Sequence, residues 1–378
     1  MNDQTLSEIY DFAVQLGKDA GQLLLDAAWS RAPSTTAGGN SSSSSAQPVP
    51  VEKESSVDIV TETDHAVEAF IKDSIAAKYP EHEYVRPHVA TYRAVVRQDV
   101  CLTVCEAISF LGEETYSAGS SKTYLVTSGP TWVVDPLDGT VNFTHLFPMF
   151  CVSIAFCVQG QPVIGVINAP LLNQFFSACR GKGSWLNETR RLPLVRDPIP
   201  PLPQEAPSGC IFACEWGKDR RDGPAGNLSK KVDSFVVMAL ERKARDGKGG
   251  MVHGIRSLGR SATLDLAYTA MGSFDIWWEG GCWEWDVAAG IAILEEAGGL
   301  VTTANPPSDP AASRVPAANL GGRLYLAIRP AGGSEHETGL EAQHRVVRQV
   351  WRRVQTLEYE RPFGPGSPEE NRVSHVMA

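Results

Sequence analysis

The sequence predicts an α/β protein, and three observations predict it. Segments with apolar residues at helical spacing lie near both ends of the chain. Between them run short apolar stretches of strand length, separated by glycine turns. Hydrophobic residues make up 43% of the 378 positions and charged residues 21%, which is globular composition. A chain of this length holds one large α/β domain or two ordinary ones.

The elements follow in order. Thr5 to about Trp29 reads as a helix, with Leu6, Ile9, Phe12, Ala13, Leu16, Ala20, Leu23 and Leu24 recurring at helical spacing and Thr5 and Glu8 in the form of a capping box. Residues 31–50 have no periodicity and little apolar mass, and read as a flexible loop. Val57–Thr61 suits a short strand or extended turn. Asp64 to Lys78 reads as a second helix, with Val67, Phe70, Ile71 and Ile75 on one face and Pro80 closing it. Thr131–Asp135 is an apolar strand running into the turn DPLDGT. Phe150–Val158 and Val163–Asn168 read as paired strands, and Phe175–Ala178 as another before the glycine turn RGKGS. Residues 193–209 are Pro-rich and irregular. A helix at Ala262–Met271, a strand at Phe274–Trp278 and a helix from Asp286 to Ala297 follow, the last closed by Gly298 and Gly299. A C-terminal helix at about Thr338–Leu357 precedes a polar tail expected to be disordered. The expected division is a first half over 1–195, a second over 208–330, and the helix and tail over 331–378.

Charge and cysteines narrow the function. Lys and Arg number 34 against 44 Asp and Glu, a net charge of −10. An acidic protein is poorly suited to nucleic acid or to an anionic membrane, because both are polyanions. No apolar run is long enough to span a bilayer, and the opening MNDQTLSEIYDF lacks the basic and apolar regions of a signal peptide. The eight cysteines are scattered, so free thiols in the cytoplasm are expected. The pairs Cys101/Cys105 and Cys210/Cys214 lack the further ligands of a zinc site.

Three segments carry chemistry. In WVVDPLDGTVNF, residues 132–143, Asp135 and Asp138 stand where an apolar strand ends, Pro136 stiffens the turn, and Gly139 permits close approach by a ligand. Thr140 and Asn142 open the next segment, whose free N–H groups can hold a phosphate. Two acids beside an anion-binding turn suit a divalent cation that bridges protein to phosphate. In WEWDVAAGIAILEEAGG, residues 283–299, Asp286 lies at the start of an apolar helix whose small residues Ala288, Ala289 and Gly290 allow tight packing. In LGEET, residues 111–115, Glu113 follows a strand end. Taken singly, these acids also suit a capped turn, a helix cap and a solvated turn.

Together, and in this order, the three segments resemble the inositol monophosphatase family. The resemblance extends to DIVTETD at 58–64, RGKGSWLN at 180–187 and HGIRSLG at 253–259, and covers about residues 5–330. Within the family the chain looks most like the fungal members, the one carried in quinate-utilisation gene clusters among them. The resemblance implies a layered αβαβα sandwich of the inositol monophosphatase and fructose bisphosphatase type. It implies Mg²⁺ as cofactor, two or three ions, with Mn²⁺ as a substitute. Glu113, Asp135 and the carbonyl of Leu137 match the ligands of the first ion, and Asp135, Asp138 and Asp286 those of the second. Thr140 and Asp64 match the pair that orients the attacking water, with Glu113 beside them. The Gly139 and Thr140 amides match the phosphate cradle, and Glu279 with Ser261 or Ala262 the region contacting sugar hydroxyls. Lys53 lines up with a basic residue of the active-site loop. The implied reaction is hydrolysis of a small phosphorylated polyol such as inositol monophosphate, sensitive to Li⁺, in a homodimer without nucleic-acid or membrane partners. A nucleotide or sugar bisphosphatase and a non-catalytic regulatory member are the alternatives. Where bisphosphate nucleotidases tend to carry Lys-Gly after the threonine, this chain has Val141 and Asn142.

The donor chemistry agrees with that expectation. All proposed side-chain ligands are carboxylates, which suit hard Mg²⁺ or Mn²⁺ rather than zinc. His65, His145 and His253 lie near motifs and read as structural. One segment departs from the family: Val85–Ser109 separates pieces that nearly adjoin in its members, and shows no helical or strand period. It reads as a retained intron or as a surface insertion.

Overall fold

The computed structural model describes residues 2–31, 51–55, 58–80, 109–117, 126, 128–221, 223, 226–307 and 314–359. In chain order the elements are α1 (Asp3–Ser30), β1 (Val51–Ser55), β2 (Asp58–Val60), α2 (Glu62–Lys78), β3 (Ser109–Gly112), α3 (Glu113–Ser117), β4 (Thr131–Asp138) and α4 (Thr140–Thr144). Then come β5 (Cys151–Val158), β6 (Gln161–Ala169), β7 (Gln174–Cys179), β8 (Gly183–Leu186), β9 (Arg190–Arg191) and β10 (Ile211–Ala213). The rest are α5 (Asn227–Ala239), α6 (Ala244–Gly247), β11 (Gly254–Arg256), α7 (Ala262–Met271), β12 (Ile276–Gly280), α8 (Glu284–Glu296), β13 (Leu300–Thr302), β14 (Leu324–Ile328) and α9 (Gly339–Trp351).

Strands β3 to β9 form one sheet in sequence order, with β3 and β4 parallel and the other neighbours antiparallel. A second sheet has the order β11-β10-β12-β14-β13. Side chains alternate across each strand, and here both faces of both sheets are covered, so the central strands read as continuous apolar runs. From β4 and β5, Trp132, Val134, Ile154 and Phe156 pack on α1 and α2. Val133, Ala155 and Cys157 face the other way, onto α7 and α8. The same helices take Ala213, Trp277, Tyr325 and Ala327 of the second sheet. On its far face, Phe212, Ile276, Trp278, Leu326 and Ile328 pack on α5 and α9. The alternation therefore produces five layers, αβαβα. Each large apolar side chain buried this way contributes about 1.5–3 kcal/mol.

Small residues set the spacing of the middle layer. A Cβ at Gly165 would lie 2.3 Å from the carbonyl oxygen of Ala289, and one at Gly290 would lie 2.5 Å from the Cβ of Leu266. Helix α8 thus seats directly on β6 and against α7, as its Ala-Ala-Gly run suggested.

Several boundaries differ from expectation. Helix α1 starts earlier, capped by the side chain of Asn2, which accepts the Thr5 N–H, so Thr5 is not the cap. Strand β12 runs to Gly280, which puts Glu279 inside a buried strand. Helix α9 ends at Trp351, and its core extends to Leu357, well past residue 330. Ser109 belongs to β3, paired with Thr131. The rest of the departing segment, 85–108, lies outside the described residues, as do 32–50 and the tail after 359. The six described cysteines are buried free thiols. Among the described residues no helix is long and apolar enough to cross a membrane.

Candidate active site

Strands β3 and β4 are parallel, so their C-terminal ends open on the same edge of the sheet. Glu113 leaves β3 there as the first residue of α3, while β4 ends in Asp135, Pro136, Leu137 and Asp138. Residues three apart on a regular strand point to opposite faces. The register against β5 jumps, however: Asp135 pairs with Ser153 but Asp138 with Cys151. One extra residue is accommodated on β4, at a proline that has no N–H to lose from the ladder. This bulge turns both carboxylates to one side. Asp286 reaches them from the first turn of α8, where its Oδ2 accepts the Trp283 N–H at 2.7 Å. It is a first-turn residue of that helix rather than its N-cap.

Asp135, Asp138 and Asp286 each offer an oxygen within 4.8 Å of the other two. Glu113 stands beside this trio. Burial pushes Asp135 well above the usual carboxylate range, and the charges of Glu113, Asp138 and Asp286 push the same way. Asp138 is raised to about 8, first by burial and then by Asp286, against the hydroxyls of Ser261 and Thr263. Asp286 is raised to about 7 by burial and Glu113, while Lys218 pulls it down. Buried carboxylates gathered at this range repel one another unless protonated or neutralised by a cation. The donors are all oxygens, the chemistry that hard divalent cations prefer. The residues present therefore fit a hard divalent cation.

The turn after β4 completes the wall. Gly139 adopts φ +83°, and a Cβ there would meet the Met149 carbonyl at 2.7 Å, so only glycine suits it. Thr140 Oγ1 lies 3.2 Å from Asp64 Oδ1 and 3.1 Å from the carbonyl of Leu137. Asp64 is fully buried in the first turn of α2, where its Oδ2 accepts the N–H and hydroxyl of Thr61. Glu113, Asp135, Leu137, Asp138, Gly139, Thr140, Ala262, Glu279 and Asp286 all line one cleft of about 90 Å³. Asp64 and Ser261 sit behind it. Ser261 is fully buried, donates to Asp138 and caps α7, so it supports an acid rather than forming the wall. His65, His145 and His253 do not line the cleft. Cys282 does, but burial holds its thiol well above the usual range, which leaves it protonated. Lys53 lies in β1; its side chain is outside the described residues.

Four supporting residues were not singled out in the sequence. Glu68 accepts hydrogen bonds from the Glu114 and Thr115 N–H groups, each at 2.8 Å, and from the Thr115 hydroxyl, which holds the start of α3 and hence Glu113. It stands four residues after Asp64 on the same face of α2, the one sequence signal that pointed to it. Glu215 accepts the Ser257 hydroxyl and the N–H groups of Leu258 and Arg260, fixing the approach to α7. Lys231 is fully buried and paired with Glu279, which also accepts the N–H groups of Glu215 and Gly280. Burial raises Glu279, and Lys231 opposes that shift. Lys218 lines the cleft near Asp286.

The sequence profile of the inositol monophosphatase family matches residues 5–91 and 90–352. The chain belongs to the inositol monophosphatase family. Among relatives, the quinic acid degradation cluster protein x of Neurospora crassa is 61% identical over 94% of this chain and 96% of its own length. Inositol monophosphatase 2 of Saccharomyces cerevisiae is 37% identical over 82% of this chain and 87% of its own. The solved inositol monophosphatase of Anabaena superposes with a TM-score of 0.57 at 24% identity, covering 94% of this chain and 98% of that one, and shows the shared fold. Family and fold are those of inositol monophosphatase-like phosphatases, and the carboxylate cluster suits the metal dependence general in this family.

Proposed function

We propose that this chain hydrolyses inositol monophosphate, or a similar small polyol phosphate, with Mg²⁺ as cofactor. The observation that carries the reading is the convergence of Asp135, Asp138 and Asp286 within 4.8 Å, beside Glu113 and the Gly139–Thr140 turn. Glu113, Asp135, the Leu137 carbonyl, Asp138 and Asp286 would hold the ions. Bound there, such ions neutralise the phosphate and acidify a water. The protein's own groups do the rest. The backbone N–H groups of Gly139 and Thr140 take phosphate oxygens. Asp64 accepts the Thr140 hydroxyl proton, which leaves the Thr140 oxygen lone pairs to receive a hydrogen bond from the attacking water. Glu279, held by Lys231, presents an anionic edge to substrate hydroxyls.

Phosphate release from inositol 1-phosphate, fructose 1,6-bisphosphate and adenosine 3',5'-bisphosphate, with Mg²⁺ and with chelator, tests the proposal. Mg²⁺-dependent release from the inositol ester is expected. Asp135→Asn should leave less than about a tenth of it, because a shared ligand carries several kcal/mol of charge stabilisation. Release that survives chelation, or a variant retaining more activity than that, would overturn the reading.

A further inference from the structure

The first sheet brings the β4 acids and the Gly139–Thr140 turn to the cleft, and in the reading above these hold the ions and the phosphate. The second sheet brings Glu279, at the end of β12, and with it Gly217, Gly280 and Gly281. The alcohol part of the ester then rests against this second set, much of which is bare backbone. Glycine backbone is the most freely moving in a chain, so its place depends on what packs behind it. Behind it stands one ring. A Cβ at Gly280 would lie 2.7 Å from Tyr359 Cδ2 and 2.9 Å from Leu357 Cδ1. One at Gly281 would lie 2.8 Å from Tyr359 Cε1, and one at Gly217 would lie 2.7 Å from the Tyr359 hydroxyl oxygen. Three cleft glycines thus make room for the same side chain, which does not itself line the cleft.

The chain that leads to this ring is held at every step. After α9 the Gln355 N–H donates to Ser234 Oγ on α5 at 2.9 Å. Two asparagines then grip successive residues. Asn305 accepts the Leu357 N–H at 2.9 Å and donates to its carbonyl at 2.8 Å. Asn227, itself buried, does the same for Glu358, at 2.8 Å in both directions. A side-chain amide that answers both backbone groups of one residue replaces a rung of strand pairing. Arg323 joins ring to wall: its guanidinium lies 5.9 Å from the Tyr359 ring centroid, and its Nη2 donates to the Gly281 carbonyl at 2.9 Å. The Tyr359 hydroxyl is buried and has no hydrogen-bond partner among the described residues, so the contact uses the shape of the ring rather than its polarity.

We infer that Tyr359 is a positioning residue of the active site, whose ring fixes the glycine backbone against which the alcohol part of the substrate rests. This rests on the phosphatase reading and adds to it a residue beyond position 352, where the family profile ends. The sequence predicts a disordered tail at this point; the first residues after Leu357 are instead part of the cleft's support.

The experiment uses the full chain with Mg²⁺. It reads KM and kcat for inositol 1-phosphate, and calorimetric binding of its phosphonate analogue, which cannot be hydrolysed. Misplacing a positioning group by about 1 Å costs up to about 100-fold, so Tyr359→Ala should raise KM and weaken analogue binding by about tenfold or more. Its kcat, and the Mg²⁺ concentration for half-maximal turnover, should stay close to those of the parent. Tyr359→Phe keeps the ring and should restore the parent KM. Gly280→Ala pushes on the ring from the cleft side and should raise KM by itself, which serves if Tyr359→Ala does not fold. Combined with Tyr359→Ala it should add little, because its Cβ enters the vacated space. Unchanged KM and analogue affinity in both single variants overturns the positioning role and leaves the phosphatase reading standing. A loss confined to kcat or to the Mg²⁺ requirement overturns it too, since the ring would then be supporting the acids. Weaker analogue binding in the variants, with no hydrolysis by the parent, would sink the phosphatase reading and leave the positioning role. A parent that neither hydrolyses the ester nor binds the analogue overturns both.

Discussion

Glu68 touches nothing in the cleft, yet the geometry makes the placement of Glu113, a ligand of the proposed first metal position, depend on it. Its carboxylate takes three donors from α3: two backbone N–H groups at 2.8 Å and the Thr115 hydroxyl. Those bonds fix the first turn of a five-residue helix that begins with Glu113. Glu68→Gln keeps the shape but replaces one acceptor oxygen with an NH₂ group. At least one N–H donor at a site only 5% exposed then loses its partner. An unsatisfied buried donor costs about 1–3 kcal/mol, and for a protein of this size that lowers Tm by about 1–4 °C. Groups that orient metal ligands typically affect affinity by about 10–100-fold. Two measurements decide the matter: calorimetric melts of the metal-free variant, and the Mg²⁺ concentration for half-maximal turnover. The reasoning requires a lower Tm and a higher Mg²⁺ requirement, with kcat largely restored at saturating Mg²⁺. If both Tm and the Mg²⁺ requirement match the parent protein, the α2–α3 link does not position Glu113.

Two further predictions concern buried charge. In chelator, Asp286 and Asp138 have folded-state pKa values of about 7 and 8, against about 3.9 in the unfolded chain. The folded state thus binds more protons than the unfolded state between these limits, so metal-free stability should fall as pH rises from about 4 to 8. Excess Mg²⁺ should flatten that fall; a metal-free Tm that climbs from pH 5 to 8 would contradict the assigned shifts. Lys231→Met should destabilise the protein by about 3–5 kcal/mol in urea unfolding, because it leaves Glu279 charged and buried without its partner. Adding Glu279→Gln should recover much of that loss, and a double variant no more stable than Lys231→Met would refute the ion-pair argument.

The parts of this site that the sequence discloses are those in which a few adjacent residues do the whole job. Asp135, Pro136, Asp138 and Gly139 form such a unit, since strand end, bulge, acids and left-handed turn lie within five positions. Helix α8 is another: its small residues and the acid in its first turn are contiguous, and the close approaches at Gly165 and Gly290 follow from them. The αβαβα layering came from resemblance, because alternation along β4 and β5 says that both faces are buried but not what covers them. What stayed hidden is long-range. Glu279 looks like a solvated strand end until Lys231, 48 residues away, is seen beside it. Glu215 gains its meaning from residues 42 to 45 positions later. Nothing local distinguishes such a glutamate from a surface one, because its cost of burial is offset by donors that only the fold brings near. The local motifs therefore bring the acids to the cleft, while the long-range pairs hold those acids and their neighbours in place, and that support is the property that the folded chain adds to its sequence.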